Sequence, residues 1–184
     1  QIDQTGPERV YRVDLSKPGL LVTSLANLGV GVDVDVHILE QLSAGACIDR
    51  GHWDAAAYLN AGRYWVVVDS FVDANANVKA GSYELTLGVT EAGSQVQAGL
   101  SATVLGAALK VFDRAWMKDD TTELEYGIID YTAPSTKPRL FVLDLRLGAL
   151  MFAERTSHGE GSQDPNDIKM TGSMSNKDGS HASS

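Results

Sequence analysis

Gly81-Ser82-Tyr83-Glu84-Leu85-Thr86-Leu87-Gly88-Val89 is the stretch that decides how the first half of the chain folds. Tyr83, Leu85, Leu87 and Val89 alternate with Ser82, Glu84 and Thr86, and a period of two gives a strand one apolar and one polar face. Working back toward the N-terminus, the same period recurs. Val34, Val36 and Ile38 alternate with Asp33, Asp35 and His37, and Tyr11, Val13 and Leu15 alternate with Arg12, Asp14 and Ser16. Lys17-Pro18-Gly19 punctuates the chain as a turn before a further strand from Leu20 to Leu28. Tyr64-Trp65-Val66-Val67-Val68 is apolar at every position, which predicts a strand covered on both faces and central in its sheet. Short strands separated by Gly-, Asn- and Asp-rich turns, with no amphipathic helix between them, favour an antiparallel sandwich over a βαβ plan.

Beyond Gly93 to Gly99, a polar glycine-bearing linker, the period changes. Val104, Leu105, Ala108, Leu109, Phe112, Ala115 and Trp116 recur at three and four, so 102–118 is predicted as a helix with Ser101 or Thr103 near its cap and Asp119-Asp120 at its end. Tyr126 to Thr132 and Arg139 to Arg146 then read as strands, and Leu147-Gly148-Ala149 turns the second into a hairpin with Leu150 to Thr156. The fold class is therefore mainly β: an antiparallel, jelly-roll-like β-sandwich followed by a helix and a partial mixed β-rich domain. The expected organisation is a sandwich over 1–92, a linker over 93–100 and a second unit over 101–184. The sandwich is expected to fold by itself. The second unit, with one helix and three strands for about eighty residues, is not.

Composition narrows the function. Of the 184 residues, 43% are apolar and 21% charged, enough for one ordinary core or two small ones. The formal net charge is -9, so a nucleic-acid groove, which needs a concentrated basic surface, is excluded, and an anionic membrane surface is disfavoured. No apolar run approaches the roughly 20 residues of a membrane-spanning helix. The one cysteine, Cys47, allows neither an intrachain disulfide nor a cysteine-built zinc site. Beside Asp49, Arg50 and His52 it suggests a Cys-His nucleophilic pair, against which stands the commoner role of a small buried side chain. There is no Gly-x-Ser-x-Gly elbow, no His-Glu-x-x-His pair and no phosphate loop.

Calcium chemistry has partial support. Asp33 and Asp35 put two carboxylates on one strand face, and Asp73, Asn75 and Asn77 offer oxygens at alternate positions, as calcium requires. The second group lacks the glycine and closing glutamate of an EF-hand loop, so solvated carboxylates and a turn are expected, with no metal and no cofactor. Asp130 and Asp144 form another carboxylate pair to be weighed, for glycosidase chemistry, against the usual solvent-facing role of charged strand residues.

Two resemblances add to this. Tyr11-Arg12-Val13-Asp14-Leu15, Val32-Asp33-Val34-Asp35-Val36-His37-Ile38, Leu59-Asn60-Ala61-Gly62-Arg63-Tyr64-Trp65-Val66-Val67-Val68 and Gly81-Ser82-Tyr83-Glu84-Leu85-Thr86-Leu87 together resemble the bacterial pre-peptidase C-terminal domain. That resemblance implies a noncatalytic sandwich serving binding, secretion or solubility. Tyr126-Gly127-Ile128-Ile129-Asp130-Tyr131, Pro134-Ser135, Arg139-Leu140-Phe141-Val142-Leu143-Asp144-Leu145, Gly148, Phe152 and Ser157-His158-Gly159-Glu160-Gly161-Ser162 resemble the opening of the murein L,D-transpeptidase catalytic domain family, as does Gly179-Ser180-His181-Ala182-Ser183-Ser184. Such enzymes take an acyl group from a peptidoglycan stem peptide onto a cysteine thiolate, with a histidine as base and backbone donors holding the oxyanion.

In that family the catalytic histidine-glycine and tryptophan-glycine-cysteine motifs follow the equivalent of Ser184, and neither occurs here. The resemblance therefore implies a fragment of a secreted or periplasmic cell-envelope protein without catalytic residues of its own. Ser157, His158 and Gly159 are the substrate-cleft candidates, against which His158 stands also as a strand-end histidine hydrogen-bonded to a loop, and His181 is a weaker candidate. The implied partners are peptidoglycan stem peptides or cell-wall glycan, and a second copy of the chain through an exposed sheet edge. Residues 160–178 are expected to lack stable order or to rest on intermolecular contacts. The alternative is a noncatalytic cell-surface or wall-binding protein.

Overall fold

The computed structural model describes residues 6–91, 98–167, 169–172 and 174. Residues 93–97 of the expected linker, His181 and the 179–184 segment lie outside the described residues. Among the described residues the fold is mainly β, with antiparallel sheets and one α-helix after the strand-rich region.

The first half is a sandwich of two sheets. In one, β1 (Glu8–Leu15), β6 (Gly62–Ser70), β3 (Val34–Leu39) and β4 (Cys47–Gly51) lie side by side in that order; in the other the order is β5 (Asp54–Leu59), β2 (Gly19–Ala26) and β7 (Glu84–Glu91). The alternating residues Val34, Val36 and Ile38, with Tyr64, Val66 and Val68 of the neighbouring β6, face Leu21, Leu25, Ala55, Ala57 and Leu59 across the sandwich. The strand read as central from its unbroken apolar run is central: β6 pairs with β1 on one side and β3 on the other.

The second half begins with α1 (Ala102–Trp116), capped at Ser101 without a side-chain cap bond, and continues as a meander of β8 (Glu125–Ile129), β9 (Leu140–Asp144) and β10 (Ala149–Glu154). β9 is central, and β10 is an edge strand with mostly exposed or half-exposed side chains. Gly148 makes the hairpin turn at φ 64°, a left-handed conformation that glycine adopts without steric cost.

The core of this half is not its own. Leu105, Leu109 and Phe112 of the helix pack with Phe141, Leu143 and Leu145, and all of these close onto Leu20, Val22 and Ala56 on the outer face of the β5-β2-β7 sheet. Leu100, placed in the linker by sequence, is buried in this same cluster. A sheet apolar on both faces needs a cover on each, and β2 is buried from Gly19 to Leu25.

β7, the last strand of the sandwich, shows the consequence. Its polar face was expected to be wet, yet Gly88 and Thr90 are buried, and a Cβ added at Gly88 would stand 2.2 Å from the Arg146 carbonyl oxygen. Leu87, on the face expected to be apolar, is 39% exposed.

Polar contacts complete the junction. β5 is a sheet edge, and its outward N–H groups are taken up by carboxylates: Ala56 N–H donates to Asp49 Oδ2 (2.8 Å) and Tyr58 N–H to Asp113 Oδ1 (2.8 Å). Trp116 Nε1–H donates to the same Asp49 oxygen at 3.0 Å. Arg146 Nε–H donates to Ser24 Oγ at 3.1 Å, and that hydroxyl in turn donates to Asp54. Satisfying an edge in this way blocks its use as a template for another strand.

Candidate functional site

Ser157, His158 and Gly159 follow β10 and lie at the start of a coil that returns across the end of the β8-β9-β10 sheet. Ser157 is exposed, and His158 and Gly159 are half-buried. The expectation that this coil lacks stable order is corrected for its described residues. Residues 160–162 form a 3-10 turn, Ser162 is fully buried, Gly172 N–H donates to Ser162 O at 2.7 Å, and Gln163 bridges Thr171. Ser135 N–H, from the Pro134–Pro138 loop, reaches Lys169 O at 2.8 Å.

What organises the coil is Arg139, the residue just before β9, whose side chain is 0% exposed. Its Nε–H donates to Thr156 O (2.7 Å). Its Nη1 donates to Ala133 O (3.3 Å) and Thr171 Oγ1 (3.4 Å), and its Nη2 lies 3.0 Å from His158 Nδ1. The guanidinium also sits over the Tyr131 ring, 5.1 Å from its centroid. Three separate chain segments are thereby tied to one planar cation.

The contact with His158 fixes a tautomer. A guanidinium has donors only, so His158 Nδ1 accepts and the neutral ring carries its proton on Nε2. Such a histidine can present an N–H to a carbonyl or carboxylate. It is not set up to take a proton through Nδ1, which is already engaged.

Asp130, at the end of β8, is 2% exposed rather than solvent-facing. One carboxylate oxygen accepts from Thr132 N–H and the Thr132 hydroxyl, and the other from Ser101 N–H at the start of α1 (3.4 Å). It stands beside Arg139 in the ladder, whereas Asp144 stands beside Glu125. Five positions along a strand is about 17 Å, so Asp130 and Asp144 form no catalytic pair.

Elsewhere the sequence candidates separate. Cys47 was expected to be buried; it is exposed at the start of β4, and its thiol donates to Asp49 O. His52 is not beside it: His52 Nδ1 lies 3.0 Å from Asp35 Oδ1 and 3.7 Å from Asp33 Oδ1. Asp73 closes a turn, its Oδ1 accepting from Asn75 N–H and Asn77 N–H (2.9 Å each). The Asn77 amide, first among the causes, and then the neighbouring backbone N–H groups and Lys79 hold the Asp73 carboxyl well below its usual range. Its oxygens are thus already satisfied. Among the described residues no group of three or more His, Cys, Asp or Glu side chains is placed to hold a metal ion.

Sequence reasoning missed Arg139 as an organising residue. The available signal was an arginine opening an otherwise apolar strand, directly after Pro138, where a solvated side chain is the ordinary outcome. It also missed a second concave site, where His37 and Asp69 stand on the outer face of the four-stranded sheet.

No helix among the described residues is long and apolar enough to cross a membrane. No curated protein and no solved structure matches the chain. Residues 96–184, the part that holds Arg139 and His158, match the family model of the L,D-transpeptidase catalytic domain.

Proposed function

We propose that the chain works at the bacterial cell envelope on peptidoglycan. In this reading Ser157, His158 and Gly159 line the edge of a stem-peptide cleft, and the sandwich over 1–92 is an accessory binding unit like the pre-peptidase C-terminal domain. The match over residues 96–184 carries the peptidoglycan part. The Arg139–His158 contact supplies the chemistry: a histidine held by a buried cation, with Nε2–H as a donor for a peptide carbonyl or terminal carboxylate.

The chain itself is proposed to bind without transferring acyl groups. Acyl transfer of this type needs a thiolate within reach of a base. The one thiol, Cys47, sits at the start of β4, outside the apolar cluster that holds α1, and its partial burial raises its pKa, which keeps it protonated.

Co-sedimentation with purified sacculi, and NMR titration with a soluble tetrapeptide stem, test this. The expected result is saturable binding with shifts at the Ser157 and Gly159 amides and at the His158 ring. His158→Ala should lose that binding, while His158→Gln, which keeps both an acceptor for Arg139 and a donor, should retain part of it. Absence of binding to sacculi, or binding indifferent to both substitutions, overturns the cleft. Stem-peptide cross-linking or cleavage by the purified chain that disappears in His158→Ala overturns the noncatalytic assignment.

A further inference from the structure

The outer face of the β1-β6-β3-β4 sheet carries a cavity of about 500 Å³ that the proposed function does not use. Glu8, His37, Leu39, Leu42, Ser43, Cys47, Arg50, Val67 and Asp69 line it; the register orders those that matter. Glu8 of β1 stands opposite Asp69 of β6, and one row along, Val67 stands opposite His37 of β3, which in turn stands opposite Arg50 of β4. One end of the cavity is therefore anionic, the floor is apolar at Val67, and the far end is cationic.

Two polar atoms on this face are buried with no hydrogen-bond partner: Asp69 Oδ1 and His37 Nε2. Asp69 is 5% exposed. An unpaired buried carboxylate oxygen costs stability, and burial, with Glu8 and Asp35 adding like charge, pushes the Asp69 carboxyl up to about 6. Burial likewise lowers the His37 pKa, partly offset by Asp35, so the imidazole is neutral at physiological pH and its Nε2 is free to meet a ligand. Groups held at such a cost inside a cavity mark a site shaped for an occupant rather than for the fold.

We propose that this cavity binds a zwitterion of the ω-amino acid type, with its ammonium seated between Asp69 and Glu8 and its carboxylate directed at Arg50. An ammonium has three donors and no acceptor; Asp69 Oδ1, the Glu8 carboxylate and, in the Nδ1–H tautomer that such a ligand selects, His37 Nε2 are three acceptors arranged on adjacent strands. Val67, Leu39 and Leu42 offer apolar surface for the connecting methylenes. Asp69 and Arg50 are separated by two strand spacings across the sheet and two residues along it, about 12 Å at the backbone. The Arg50 side chain shortens that gap to one that a lysine-like chain spans. A bare alkylammonium leaves Arg50 unmatched, and a simple anion meets two carboxylates, so both should bind more weakly.

The test uses the full chain and three probes: 6-aminohexanoate, hexylamine and hexanoate. By ¹H–¹⁵N NMR at neutral pH, 6-aminohexanoate should give saturable shifts at His37, Val67 and Asp69, and hexanoate none. Asp69→Asn, which keeps the side-chain shape, should weaken 6-aminohexanoate at least about tenfold. The exposed Arg50→Gln change should reduce its affinity to that of hexylamine while leaving hexylamine unaffected. The proposal is overturned by an absence of saturable shifts, by hexanoate binding as well as 6-aminohexanoate, or by affinities unchanged in both variants. Because the cavity shares no lining residue with the Arg139–His158 contact, its failure leaves the His158 cleft untouched, and failure of that cleft leaves this site untouched.

Discussion

Replacing Arg139 by methionine isolates what one buried cation does for the coil that carries His158. The side chain is fully buried, and its four polar contacts reach Thr156, Ala133, Thr171 and His158. Hydrogen bonds to a charged group contribute about 1.5–3 kcal/mol each. The two short ones, 2.7 Å to Thr156 O and 3.0 Å to His158 Nδ1, carry most of that, and the contacts at 3.3 and 3.4 Å add a fraction. Releasing the guanidinium from a desolvated position returns part of the loss, and methionine keeps the packing on Tyr131. A net destabilisation of about 3 kcal/mol follows, which for a chain of this size lowers Tm by about 6–12 °C.

The loss should be local as well as global. Amide exchange at Gly172 and Ser135, whose N–H groups bond Ser162 O and Lys169 O, should accelerate about a hundredfold, ahead of amides in β6. Arg139→Lys should fall between, since an ammonium cannot reproduce the planar fork. A methionine variant that melts within about 1 °C of the parent, with exchange at Gly172 and Ser135 unchanged, would refute the claim that Arg139 organises the coil.

Gly88→Ala drives a methyl group to 2.2 Å from the Arg146 carbonyl and should cost about 1–3 kcal/mol in urea denaturation; an unchanged midpoint would show that the two halves separate easily. A chain cut after Glu91 exposes Leu20, Val22 and Ala56. About 5 kcal/mol of burial is lost with them at most, so this piece should bind a hydrophobic dye and melt broadly; a sharp, dye-negative transition would show that the sandwich is self-sufficient. The folded pKa of Asp69, about 6, lies above the ordinary 3.8, so the parent loses stability as pH rises from about 4 to about 6. Asp69→Asn removes that loss, and its advantage should grow over the same window to at most about 3 kcal/mol at neutral pH; an advantage independent of pH would contradict the unpaired carboxylate.

Much of the fold was legible in the chain because its cause is local. The alternation at Val34, Val36 and Ile38 fixes which side of β3 meets the core, the unbroken run Tyr64–Val68 places β6 in the middle of its sheet, and the three-four spacing from Val104 to Trp116 makes α1. The resemblance of the second half to the L,D-transpeptidase catalytic domain was legible in its motifs, and residues 96–184 match that family model. Period, however, says only that a face is apolar, not what covers it. That Leu20, Val22 and Ala56 are covered by α1 and by Phe141, Leu143 and Leu145 is a long-range pairing without a local signature. The same holds for the polar sites. Arg139 reads as an ordinary strand-opening cation until four distant acceptors converge on it, and Glu8, His37, Arg50 and Asp69 are scattered through the first half until strand register aligns them. Sequence fixed the elements and their faces through short-range sterics and solvation; only the tertiary structure, by deciding which polar groups lose water together, made a site of them.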